Sequence, residues 1–141
     1  MSLTALAIAL SLAASTVMAA PLSQYQWEKR ILVLLGENRG SDLDRQEEIL
    51  RQALEGLADR DMVVLSLQGD RTETLFGAAA ELDAQAVRES IGWDGSAFQA
   101  VLIGKDGGVK QRWSQPVSVE ELFAVIDTMP MRANEMRQSE K

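Results

Sequence analysis

Apolar positions in this chain fall into a few unbroken runs separated by stretches in which they recur every three or four residues. Ile31-Leu32-Val33-Leu34-Leu35 has no polar interruption, the pattern of a strand covered on both faces. A polar loop follows, Gly36-Glu37-Asn38-Arg39-Gly40-Ser41. From about 42 to 58, Leu43, Ile49, Leu50, Ala53, Leu54 and Leu57 return with a period of about 3.6 residues and predict one amphipathic helix. Ser41 or Asp42 supplies an N-cap oxygen, and Asp42 and Asp44 suit the positive end of the helix dipole. Glu47 and Arg51 are i,i+4 partners on the exposed side. After the turn Asp59-Arg60-Asp61, the run Met62-Val63-Val64-Leu65-Ser66-Leu67 predicts a second buried strand, bounded by Gln68-Gly69-Asp70. Two buried strands joined by one helix imply a right-handed parallel βαβ unit.

The pattern then weakens. Over residues 71–80 only Leu75-Phe76-Gly77 stands out, as one apolar anchor within a loop. Leu82, Ala86, Val87 and Ile91 space as a helix face that Gly92 ends. Phe98-Gln99-Ala100-Val101-Leu102-Ile103 predicts a third strand, and Gly104-Lys105-Asp106-Gly107-Gly108 a hairpin whose Asp-Gly pair supplies the positive φ of a primed turn. Val109 to Trp113 alternates, as a half-exposed antiparallel edge strand would, and its Lys110 and Arg112 deter edge-to-edge pairing. Ser118 with Glu121 forms a capping box, Leu122, Phe123, Val125, Ile126 and Met129 a buried helix face, and Pro130 the stop. This predicts a domain over 29–130, preceded by a lead-in at 20–28 and followed by a polar tail at 131–141 with at most a short helical turn. Tyr25 and Trp27 in the lead-in suit a cap on the sheet edge or a ligand shelf.

Residues 1–19 read as a secretory signal. The apolar core at 3–12 falls within the ~7–15 residues usual for such segments. Val17-Met18-Ala19 places small residues for cleavage after Ala19, and Pro21 disfavours a cut one residue later. The n-region lacks basic side chains, so a membrane anchor or buried helix is the alternative, but the run is short for the ~20 residues of a span.

Composition narrows the chemistry. Fourteen Lys and Arg against twenty-one Asp and Glu give a net charge of −7. That excludes the basic footprint needed for nucleic acid or an anionic membrane surface. The chain has no cysteine and no histidine, so it has no thiol nucleophile, no disulfide and no imidazole base or ligand.

The order βαβ, helix, β-hairpin, helix is that of a thioredoxin-like fold, an α/β class with three layers and a central mixed sheet of about four strands. The stretches Phe98 to Lys110 and Ile126-Asp127-Thr128-Met129-Pro130-Met131-Arg132 resemble a bacterial family of unknown function. That family is similar to the DUDES domains, the C-terminal module of equarin and of sushi-repeat-containing animal proteins. The resemblance spans about 27–137. It implies a thioredoxin-like fold nearest the peroxiredoxins and a secreted or periplasmic setting, and it assigns no activity. The chain departs from redox relatives where their chemistry sits. No Cys-x-x-Cys occupies 38–42, and Ser96-Ala97-Phe98, before the third strand, lacks the proline that thioredoxins hold in cis. Thiol chemistry is excluded.

The candidate ligand or partner site is the loop Glu37, Asn38, Arg39 and Gly40 with Asp42, because open α/β sheets bind ligands beyond strand carboxyl ends. Met131 and Arg132 are the secondary candidates. Glu37 and Asp42 could act as a glycosidase-like carboxylate pair. Glu37, Asp42 and Asp44 could hold a hard cation. Gly36-x-x-x-Gly40 with Arg39 could cradle an anion, although the two aspartates oppose it. A capped, solvated helix start accounts for the same residues. The resulting expectation is a non-catalytic binding module, periplasmic or secreted, without metal or cofactor. Its partner would be a protein, peptide or carbohydrate of the cell envelope. The rival is a cysteine-independent enzyme or metal-binding protein using the acidic stretch 37–44. Export is checked by mass spectrometry of the native protein, with Ala20 expected as the first residue; soluble cytosolic protein retaining Met1 would contradict it.

Overall fold

The computed structural model describes residues 20–36 and 40–140. The signal reading, and Glu37, Asn38 and Arg39 of the candidate loop, lie outside the described residues. A short 3-10 turn, Ser23–Tyr25, leads into β1 (Arg30–Gly36), α1 (Ser41–Arg51), α2 (Leu54–Asp59), β2 (Met62–Gln68), β3 (Arg71–Phe76), α3 (Ala84–Ile91), β4 (Phe98–Ile103), β5 (Val109–Trp113), α4 (Val119–Asp127) and α5 (Pro130–Ser139). The sheet runs β3-β2-β1-β4-β5. β1 and β2 are parallel, with Leu32 opposite Val64, and the other pairs are antiparallel.

Every residue of β1 is buried, as its unbroken apolar run requires. Alternation sends Leu32 and Leu34 to one face, where they meet Leu43, Leu50, Leu57, Leu122 and Ile126 of α1, α2 and α4. Ile31, Val33 and Leu35 face the other way, against Tyr25 and the Ala84, Val87 and Ile91 stripe of α3. The result is three layers, α/β/α. Gln46 stitches one layer together: it is fully buried, donates to the Val117 carbonyl at 3.0 Å and accepts from the Val117 amide at 2.8 Å. The segment before α4 is thereby fixed on α1.

Several local expectations need correction. The sheet has five strands, because residues 71–76 form β3 and not a loop. Its β-branched Thr72 and Thr74 alternate with Arg71, Glu73 and Leu75, and Gly69 takes φ 54° at the first position of the two-residue hairpin from β2. Positive φ there is what glycine supplies. The helix expected over 42–58 breaks at Ala53, whose φ of −131° leaves the helical region. The restart turns Leu54 outward, 47% exposed, and returns Leu57 to the sheet. The N-cap of α1 is Gly40, with no side-chain cap bond, so neither Ser41 nor Asp42 has that role. Glu47 is buried beneath Arg51, not on the exposed side, and the pair stands at 3.5 Å.

In the β4–β5 turn only Gly107 takes positive φ, at 86°, so Lys105 and Asp106 do not form a primed turn. The Gly107 amide closes on the Gly104 carbonyl at 3.0 Å. Ser118 caps α4 by accepting from the Glu121 amide, but the Glu121 carboxylate accepts from the Trp113 indole, so half of the expected box forms. Pro130 does not end α4. It opens α5, where its fixed φ suits the first helical turn, and the polar tail is a helix to Ser139.

Truncation of Gln46 to Ala orphans both backbone groups of Val117 in a dry site. Gln46→Ala is expected to lower urea-unfolding stability by about 2–4 kcal/mol. Glu48→Ala, on the exposed face of the same helix, should stay within about 0.5 kcal/mol.

Candidate functional site

The two sets of sequence candidates lie at opposite ends of the sheet. Gly40 and Asp42 are exposed where β1 ends, and Glu37, Asn38 and Arg39 are outside the described residues. No group of three Asp or Glu among the described residues is placed to hold a metal ion. Met131 and Arg132 sit at the other end, where β1 begins, and there the structure gathers most of its buried charge.

Arg132 is not a surface recognition residue. Its side chain is 7% exposed. It donates to the Asp127 carboxylate at 3.0 Å, the Asp59 carboxylate at 2.7 Å and the Asp59 carbonyl at 3.0 Å. One turn on, Glu135 accepts from Arg30 at 3.1 Å and from Lys105, and Lys105 also donates to Asp61 at 2.8 Å. Arg60 donates to both oxygens of Asp127 and lies 3.9 Å from the centroid of the Phe123 ring. Arg30, Arg60, Lys105 and Arg132 thus face Asp59, Asp61, Asp127 and Glu135, and the network is neutral.

The protonation energetics agree. Burial pushes the Asp61 carboxyl up, but the hydrogen bond from Lys105 and the charges of Lys105, Lys29 and Arg30 hold it below its ordinary value. Burial is likewise outweighed at Glu135 by Arg30 and Lys105, and at Asp127 by Arg60 and Arg132. At Arg132 burial opposes the charge, but Asp127 and Asp59 raise the pKa. The Asp61, Asp127 and Glu135 carboxylates are held ionised, which suits a scaffold; a general acid at neutral pH needs the opposite shift.

Above this floor runs a groove of about 400 Å³. Trp27, Met129, Pro130 and Met131 give it apolar walls, the hairpin residues Gly104, Asp106 and Lys110 its rim, and Arg30 and Lys105 its base. Trp27 is 62% exposed and Met131 40%. Trp27 also takes φ 72°, a rare conformation for a bulky side chain. Its amide donates to the Lys105 carbonyl at 2.5 Å, which binds the strained residue to the hairpin. Backbone strain concentrates at functional positions, and tryptophan is enriched among residues at protein interfaces.

The family described as Domain of unknown function (DUF4174) matches residues 21–135. The chain belongs to the DUF4174 family. The matched span contains both walls of the groove and the Glu135 end of the charge network. No curated protein matches the chain. Among solved structures, reduced 2-Cys peroxiredoxin of Plasmodium vivax aligns over 80% of this chain and 84% of its own, at 17% identity and a TM-score of 0.55. The apo form of Trgpx aligns over 76% and 86%, at 22% identity and a TM-score of 0.48. With the observed element order, the peroxiredoxin likeness makes the DUF4174 domain a thioredoxin-like fold.

The sequence offered some signals for this end of the molecule: the Lys29-Arg30 pair before a buried strand, the alternating charges Asp59-Arg60-Asp61, and Arg132 with Glu135 at i,i+3. Apart from Arg132 with Asp127, five residues apart, their partners are 30 to 105 residues away and were not legible.

Removing the Glu135 charge leaves Arg30 and Lys105 poorly compensated. Glu135→Gln is expected to cost about 3 kcal/mol by urea unfolding. Because folding holds Asp61, Asp127 and Glu135 below their unfolded pKa values, stability should be level from about pH 5 to 8 and fall as pH drops below about 4. A variant series showing loss on the alkaline side of neutrality instead would contradict the assignment.

Proposed function

We propose that this DUF4174 protein is an exported, non-catalytic binding module, periplasmic or secreted. Its partner is a protein, peptide or carbohydrate of the cell envelope, engaged through the Trp27–Met131 groove. The observation that carries this reading is the exposed, strained Trp27 opposite Met131 on a rigid, electrically neutral floor. Three further points support it. A chain without cysteine or histidine lacks the usual nucleophile and base. Asp61, Asp127 and Glu135 are poised to stay ionised, not to exchange protons near neutrality. The two stretches that resemble a bacterial family of unknown function, for which the resemblance implies a secreted or periplasmic setting, supply the hairpin rim and the Met129-Pro130-Met131 wall of this groove.

Trp27→Gly separates binding from folding. Glycine accepts the left-handed backbone without strain, so stability should stay within about 1 kcal/mol of the parent. Mature protein carrying Trp27→Gly, used as bait in envelope extract, should lose about tenfold of the captured partner by quantitative mass spectrometry, and Arg39→Ala should lose none. Loss with Arg39→Ala and retention with Trp27→Gly would place the partner at the β1–α1 loop.

A further inference from the structure

The two edges of the sheet differ. β5 carries Lys110 and Arg112, which are tied to Asp106 and to the Ile91 carbonyl. β3, Arg71–Phe76, has neither lysine nor proline, and among the described residues it pairs with β2 alone. Its other edge offers unpaired backbone donors and acceptors, groups that an extended chain satisfies.

The register determines what lies beside that edge. Gln68 opposes Arg71 and Ser66 opposes Glu73, so Arg71 and Glu73 share the face covered by α1 and α2; the ladder then bulges opposite Val64 and Leu65, and Leu75 and Phe76 both pack on that same face. Two cavities open along this face. One, of about 400 Å³, is lined by Ser66, Gln68, Arg71, Thr72 and Glu73. The other, of about 180 Å³, is bounded by Leu50, Leu54, Leu57, Leu75 and Phe76 among others.

The first cavity is rich in donors. Arg71 is exposed and forms no ion pair among the described residues, although acidic residues outnumber basic ones in the chain. Ser66 is 1% exposed, and its hydroxyl lacks a hydrogen-bond partner; Thr72, opposite Leu67, belongs to the other face of the sheet. A buried hydroxyl without a partner is unfavourable and is relieved by an acceptor. Glu73 already has an interaction of its own, so Arg71 is the charge to be matched. The second cavity is of mixed character: its apolar residues, Leu50, Leu57, Leu75 and Phe76, continue onto Leu54, which is 47% exposed, and Glu47, Arg51, Glu73 and Thr74 complete its lining.

We propose that the free edge of β3 is a docking strand for an extended segment of a partner protein, with an acidic side chain beside Arg71 and an apolar one beside Leu75. The two positions are four residues apart, at most about 13 Å along the bulged strand, so a spacing of three to four residues on an added strand reaches both. Main-chain hydrogen bonds supply affinity in this mode, and the flanking cavities supply selectivity. A second copy of the chain is the poorer occupant, because a net charge of −7 opposes self-association. This surface lies apart from the Trp27 groove and stands or falls independently of it.

The test uses the mature protein and two synthetic ten-residue peptides that alternate threonine and valine. One carries glutamate and leucine four residues apart on the same side; the other carries lysine in place of glutamate. Fluorescence anisotropy should show the glutamate peptide bound about tenfold tighter, and it should slow amide exchange at residues 71–76. Arg71→Glu should reverse the preference, an outcome that mere loss of structure cannot produce, and Trp27→Gly should leave both affinities unchanged. Equal affinities, failure of both peptides to bind, protection at the Trp27 groove, or a dimer in sedimentation with residues 71–76 protected in the absence of peptide would each overturn the proposal.

Discussion

The central constraint is that β1 is buried along its whole length, beginning with a charged residue. Arg30 is 1% exposed at the first position of that strand. An arginine cannot be taken out of water without partners. Glu135 and the Arg60 carbonyl supply them, and this explains why residues 130–139 are docked on the domain. α5 buries one side chain, Arg132, so charge pairing rather than apolar burial holds it. The same pairing recruits Lys105 from the end of β4 and Asp61 from the start of β2, which locks three strands to one helix.

That lock also shapes the surface. Lys105 belongs to the β4–β5 hairpin, and its carbonyl accepts from Trp27. The hairpin, the lead-in turn and the start of α5 therefore converge where Trp27 and Met131 are exposed. Methionine adapts to varied contacts, and tryptophan offers a large rigid one. A surface of this kind fits binding, and the ionised carboxylates beneath it fit support. The thioredoxin-like scaffold thus exposes Trp27 and Met131 at the end of the sheet opposite Gly40 and Asp42.

The β1–β2 pair, the α3 stripe, β4, β5 and the start of α4 were legible because each depends on period and local chemistry. Runs of apolar residues, Gly92 at a helix end and Ser118 at a helix start act within a few residues of themselves. β3 was overlooked because an edge strand exposes one side and so lacks an apolar run, although Gly69-Asp70 was a hairpin signal. Pro130 was read as a stop because proline beside a helix admits both readings; only docking of the following turn decides between stop and start.

Sequence by itself therefore determined the class of fold, the absence of thiol and imidazole chemistry, and the acidic balance of the chain. These follow from composition and short-range pattern, which need no partner. Tertiary structure alone decided that Arg132 is internal, that Arg30, Lys105 and Glu135 meet, and that Trp27 faces Met131. Such contacts join residues up to 105 positions apart. A charged side chain looks the same in sequence whether water or another charge completes it, and only the packed chain distinguishes the two.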